Sequence, residues 1–146
     1  MSSAEARAVP RDVRVGTEIE PLELTVDPEK MKVMAALLAD PNPIHFDPRS
    51  LAALGMQERT VNQGPLNMGY LQTMLARWAG GRDRLLSFQV RFRGNVLAGD
   101  RVRAQGVVTA ITDTERGRVA TCDISLRVLG GAEVLTGTAD VIIEEH

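Results

Sequence analysis

The sequence predicts a single α+β domain, an antiparallel sheet of five to six strands packed on one long helix. Three observations carry this. Residues 65–79 hold one charged side chain, Arg77, and space Leu71, Met74, Leu75 and Trp78 at i, i+3, i+4 and i+7. That spacing, with so little charge, describes a helix buried on most sides. From Leu85 onward the apolar period drops to two, as in half-buried strands. Short turn signals such as Gly99-Asp100 and Gly130-Gly131 then divide the remainder into four extended runs.

Taken in order, residues 1–14 are polar and read as a flexible lead, with the domain over 15–146. An extended segment begins at Val15, with Ile19, Leu22, Leu24 and Val26 as its apolar positions. Pro21 cannot donate to a ladder and so places that strand at an edge or a break. Asp27-Pro28-Glu29 starts a helix: Asp27 caps, Pro28 suits the first turn, and Glu29 favours the positive end of the dipole. Met31, Met34, Ala35, Leu37 and Leu38 give it one apolar face, and Asp40-Pro41 stops it. Asp47-Pro48 repeats the cap signal for a short helix that ends at Gly55. A polar connection leads to Gly64, and Pro65 opens the long helix, which Gly80-Gly81 closes. Gly69 inside that helix costs about 1 kcal/mol in propensity, and close approach of a packed sheet is its expected compensation. The strands follow at about 85–96, 101–112, 119–129 and 133–143. Phe88, Val90 and Phe92 share one face of the first; Gln89, Arg91 and Arg93 share the other. Consecutive strands joined by tight turns imply a meander.

Composition removes several functions. The 146 residues suffice for one core. A net charge of −2 supplies no basic field for nucleic acid. One cysteine, Cys122, excludes an intrachain disulfide and a cysteine-rich zinc site. It reads as a small buried residue rather than a nucleophile, since no base signal accompanies it. With two histidines, His45 and His146, no multi-histidine metal site is expected. Neither a secretory signal nor a run of about 20 apolar residues is present, so the expected location is the cytoplasm, away from the membrane.

The chemistry concentrates in Asp40-Pro41-Asn42-Pro43-Ile44-His45-Phe46-Asp47. The prolines fix φ and bar helical geometry from the residue before each, so Asp40 and His45 are held in a stiffened loop. A carboxylate and an imidazole so placed suit proton transfer. Asp40, Asn42 and Asp47 are also typical turn and cap residues, and Asp47 fits a cap best. This octapeptide resembles the D-x-N-P-[IL]-H-x-D motif of MaoC-type (R)-specific enoyl-CoA hydratases and 3-hydroxyacyl-thioester dehydratases, which have the hot-dog fold. Gly64 stands where that family has a glycine at the start of its central helix. Phe92, Val96 and Gly99-Asp100 resemble its F…V…GD segment. The resemblance covers about residues 15–143. It departs at Leu38-Ala39, where a small residue and Gly are common, at Gln63, where His is, and at Asn95, where Pro is.

The resemblance implies a hydro-lyase acting on thioesters of CoA or acyl carrier protein. Asp40 and His45 then share one catalytic water and divide the base and acid roles, and the Gly64 N–H polarises the thioester carbonyl. Pro65 lacks an N–H, so Gly64 and Leu66 are the local donors. Asn42 shapes the loop or holds the water, and Gln63, next to Gly64 in sequence, is a substrate contact. Seven arginines from Arg77 to Arg103 face only Asp83 and Asp100. Arg91 and Arg93 among them either solvate a sheet face or meet the phosphates of CoA or phosphopantetheine. No metal or redox cofactor is implied. The resemblance further implies a homodimer, or a heterodimer with another hot-dog subunit. A thioesterase on the same fold is the alternative activity, although such enzymes usually carry a carboxylate on the central helix and none lies between Pro65 and Gly81.

Overall fold

The structure is a computed structural model that describes residues 12–30 and 64–145. Its elements are β1 (Glu18–Thr25), α1 (Gly64–Ala79), β2 (Leu85–Phe92), β3 (Arg101–Thr114), β4 (Gly117–Val128) and β5 (Glu133–Glu145). A single 3-10 turn, Arg82–Arg84, links α1 to β2. The five strands form one antiparallel sheet in the order β1-β3-β4-β5-β2. This is the α+β class expected, with the early strand in the sheet. Pro21 sits on an edge, as its missing donor requires, and the β1–β3 register shifts between Ile19 and Leu22.

The meander holds only for β3, β4 and β5. β2 ends at Phe92 and pairs with β5 rather than with β3. Residues 93–100 carry the chain across to the opposite edge. There the Val26 N–H donates to Asp100 O at 2.9 Å and the Gly99 N–H to Val26 O at 3.0 Å. The expected turn at 97–100 exists, closed by the Leu97 N–H on Asp100 Oδ2 at 2.9 Å, but it delivers the chain to the β1 side. Alternation in a strand specifies which face is buried and is silent on which strand is the neighbour.

The core lies between α1 and the sheet. Leu71 and Leu75 have no exposed surface and Met74 has 1%, and they pack with Val102, Leu126 and Leu135 of the sheet. Burying such side chains contributes about 1.5–3 kcal/mol each. The helix ends where the glycine signal placed it: Gly80 has φ 95°, and the N–H groups of Gly80 and Gly81 both donate to Ala76 O at 3.0 Å. At the other end of the described chain, Asp27 Oδ1 accepts the Glu29 N–H at 2.9 Å, the cap expected for the helix that begins there. The rest of that helix and the short helix after Pro48 lie outside the described residues.

Two packing expectations fail. Phe92 was placed on the buried face, yet it is 51% exposed. It closes an edge strand, and of its face only Leu85, Phe88 and Val90 among β2 residues pack on the core. Gly69 has no sheet against it, since a methyl group added there would meet nothing within 4 Å. Gly69→Ala is therefore expected to stabilise the chain by about 0.5–1 kcal/mol, read as a rise in Tm. A fall in Tm would mean that something packs on that glycine after all.

Candidate active site

Of the residues that the sequence nominates, the structure locates Gly64, Arg91 and Arg93. Asp40, Asn42, His45 and Gln63, together with Asp47, lie outside the described residues. Gly64 is the first residue of α1, and no acidic side chain occupies the first turn. The helix N-terminus carries unsatisfied N–H groups and a partial positive charge, so this end of α1 suits an oxygen that gains negative charge.

The same turn holds a residue that sequence reasoning missed. Asn67 is 3% exposed, and it is the one buried polar residue among those described. It continues the stripe of Leu71, Met74, Leu75 and Trp78 by one turn toward the N-terminus. It is not without a partner. The signal was available: an amide stands at a core position of an otherwise apolar stripe.

Arg91 and Arg93 do not join Gly64. Val90 packs on the core side of β2, so Arg91 points from the face opposite α1. Arg93 Nε donates to Thr136 Oγ1 at 2.8 Å, next to the fully buried Leu135 and therefore on that same outer face. Other members of the arginine cluster are tied into the sheet. Arg101 and Arg103 pair with Glu23 at 3.6 and 3.8 Å, and Arg84 reaches Glu145 at 4.0 Å. These partly exposed pairs each contribute little. A groove of about 850 Å³ also opens on the outer face, between Gln105, Asp123, Ser125 and Thr136. Its described lining includes neither Gly64 nor Arg91.

Cys122 is fully buried. Burial first, then the Asp140 and Asp123 carboxylates, push its thiol up to about 12 from the ordinary 9.0. The folded chain thus holds this proton more tightly than the unfolded chain does. The associated stability is complete below the unfolded value and is lost as pH rises through the folded one. A thiol of this kind is a poor nucleophile. Alkylating reagents are expected to leave native Cys122 unmodified at mildly alkaline pH and to label it after denaturation; rapid native labelling, read by mass spectrometry, would contradict its burial. Among the described residues, no group of three His, Cys, Asp or Glu side chains is arranged to hold a metal ion. No described helix is long and apolar enough to cross a membrane.

Three comparisons bear on this geometry. The family model of the MaoC-like domain matches residues 12–128. An (R)-specific enoyl-CoA hydratase of Aeromonas caviae is 32% identical over 113 residues, which cover 77% of this chain and 82% of that protein. Among solved structures, the (R)-hydratase from A. caviae superposes with a TM-score of 0.78 at 29% identity, over 92% of this chain and 100% of that one. The ChsH1–ChsH2 complex from Mycobacterium tuberculosis matches in fold, with a TM-score of 0.75 at 24% identity over 90% of this chain and 98% of that one.

Proposed function

The chain belongs to the MaoC-like dehydratase family of hot-dog hydro-lyases, and from that premise we propose that it adds water reversibly to 2-enoyl thioesters of CoA or acyl carrier protein, giving (R)-3-hydroxyacyl thioesters. The observation that carries this reading is the conjunction of the Asp40-x-Asn42-Pro-Ile-His45-x-Asp47 motif with a central helix that begins at Gly64.

In the proposed reaction Asp40 and His45 hold one water. Its oxygen adds to C3 while a proton is delivered to C2. Negative charge gathers on the thioester oxygen in the transition state, and the Gly64 N–H, backed by the α1 dipole, stabilises it there. Glycine lets the thioester approach the backbone closely. Asn42 holds the loop or the water, and Gln63 lines the site beside Gly64. Arg91 and Arg93 meet the phosphates of the carrier from the sheet edge. Alanine at both positions is expected to weaken CoA-thioester affinity about tenfold; unchanged affinity would remove them from the site.

We further propose that the active form is a dimer, with itself or with another hot-dog subunit, in the cytoplasm. The edges of the sheet support assembly. β1 is guarded by Pro21, a register shift, and Glu18, Glu20 and Glu23. The β2 edge has no proline, and it leaves Leu86 37% and Phe92 51% exposed. Unguarded edges of this kind pair readily with another strand.

Hydrolysis of the thioester is not favoured, because α1 contains no carboxylate. The test follows enoyl conjugation and free thiol in parallel on a panel of short, medium and branched enoyl-CoA substrates. Loss of conjugation without thiol is expected; thiol release would make the chain a thioesterase. A purified chain that works only with a second hot-dog subunit would place it in a heterodimer.

A further inference from the structure

We propose that the open edge of β2 is completed by β2 of a second copy of this chain, antiparallel and centred on Val90, so that Phe92 of each copy meets Phe88 of the other and Arg91 meets Gln89. The inference rests on the dimer reading and adds to it the partner and the register.

Backbone hydrogen bonds define the edge. β2 is the last strand of the described sheet and lies beside β5 alone. The Arg93 N–H donates to Val134 O at 2.8 Å. In an antiparallel pair every second residue exchanges such bonds with its neighbour, so Gln89 and Arg91 also turn their backbone groups toward β5. The N–H and C=O groups of Phe88, Val90 and Phe92 therefore face the open side, where another strand can satisfy them. Side chains divide in the same way. Phe88 and Val90 pack on the core side, and Phe92 shares their face but stays 51% exposed.

These constraints select one register. A two-fold axis at Val90 sets Phe88 opposite the partner's Phe92, Val90 opposite the partner's Val90, and Phe92 opposite the partner's Phe88, so all three residues exchange their free bonds. An axis at Gln89 would set Phe92 against the partner's Leu86, inside the stretch where the β2–β5 register shifts between Leu85 and Ser87. An axis at Arg91 would set two arginines directly opposite, which is destabilising. The Val90 axis avoids both. It covers Phe92 with a second aromatic ring, and aromatic pairs are worth more than their area alone. It also gives the Arg91 guanidinium the amide oxygen of the partner's Gln89 as acceptor. One strand thus supplies both halves of a complementary edge, which favours a second copy as its occupant. The two Arg91 side chains flank the axis on the outer face, so the phosphate contacts proposed for Arg91 and Arg93 come from both copies.

The experiment coexpresses chains carrying Gln89→Cys with chains carrying Arg91→Cys, oxidises them mildly and resolves them without reductant. The native Cys122 is buried and does not compete. Positions 89 and 91 of facing strands form a non-hydrogen-bonded pair with Cα atoms about 4.5 Å apart, within reach of a disulfide. Positions 89 and 89, or 91 and 91, lie on the diagonal at about 7–8 Å, beyond that reach. The mixture is expected to link about half of its dimers, those with one chain of each kind, and either variant alone less than about a tenth of that. Linkage by one variant alone would move the axis and overturn the register, as would a dimer that links in no combination. Should a cysteine variant not fold, Gln89→Glu is read instead by sedimentation. It faces Arg91 twice by symmetry, so the dimer Kd is expected to fall about three- to tenfold, an effect that fades in high salt. An unchanged or weaker dimer would overturn the proposal. A wild-type chain that stays monomeric alone sinks the self-dimer itself, and one that then pairs only with another hot-dog subunit replaces the second copy as occupant. Turnover enters none of these readings, so a failed register and a failed hydratase reading are told apart.

Discussion

Asp40→Asn or His45→Ala is expected to lower turnover at least about a hundredfold, with the fold retained. Positioned acid and base groups contribute about 10²–10⁴-fold each. Asp40→Asn keeps the shape of the side chain and removes its capacity to take up a proton. His45→Ala removes the one internal imidazole of the chain, and nothing else in the motif can replace it near neutral pH. Both residues are proposed to act on the same water. The double variant should therefore be about as slow as the worse single one, because groups that work as a unit are not additive. Circular dichroism and Tm establish that the fold persists, and kcat carries the result. Full activity in either single variant would refute the proposed pair.

Gly137→Ala is expected to destabilise the chain by about 3 kcal/mol, with a fall in Tm on the order of 10 °C. An added Cβ at Gly137 would overlap the Gln89 carbonyl oxygen and crowd the Val90 backbone. Gly137 pairs with Val90 in the β5–β2 ladder, so this position needs a residue without a side chain for the two strands to meet. The clash involves backbone on both sides, and no rotamer change relieves it. β2 must move or its hydrogen bonds must lengthen. Because β2 carries the edge proposed for pairing, the proposed dimer is expected to weaken as well, which sedimentation would read in the same sample. Unchanged Tm and mass would show that the β5–β2 approach is looser than the geometry states. Gly69→Ala is its counterpart with opposite sign: one glycine is required by a neighbouring strand, and the other has open space over it.

The parts of the fold that were legible in the sequence are those set by local physics. The charge-poor stripe of α1, its Gly80-Gly81 end, the cap at Asp27 and the edge placement of Pro21 each follow from one side chain or one missing donor. The neighbour of β2 was not legible, because period-two alternation in Phe88, Val90 and Phe92 is the same whichever strand lies alongside. Burial at the edge was misjudged for a related reason: Phe92 has the right parity for the core but lies at the end of an edge strand. At the site, Gly64 was nominated by the family resemblance, and the Pro65 signal that follows it placed it where α1 begins. Asn67 was passed over because a core stripe was expected to hold nothing but packing. Arg91 and Arg93 were identified as a pair on one face, yet parity alone could not show that this face lies opposite α1.

The most direct test of the central claim is to run the reaction in oxygen-18-labelled water and locate the label by mass spectrometry. If one water, held by Asp40 and His45, is added to C3 beside the Gly64 amide, the label appears in the 3-hydroxyl of an intact (R)-3-hydroxyacyl thioester. Label in a free carboxylate, or none in any product formed from a 2-enoyl thioester, would contradict the account.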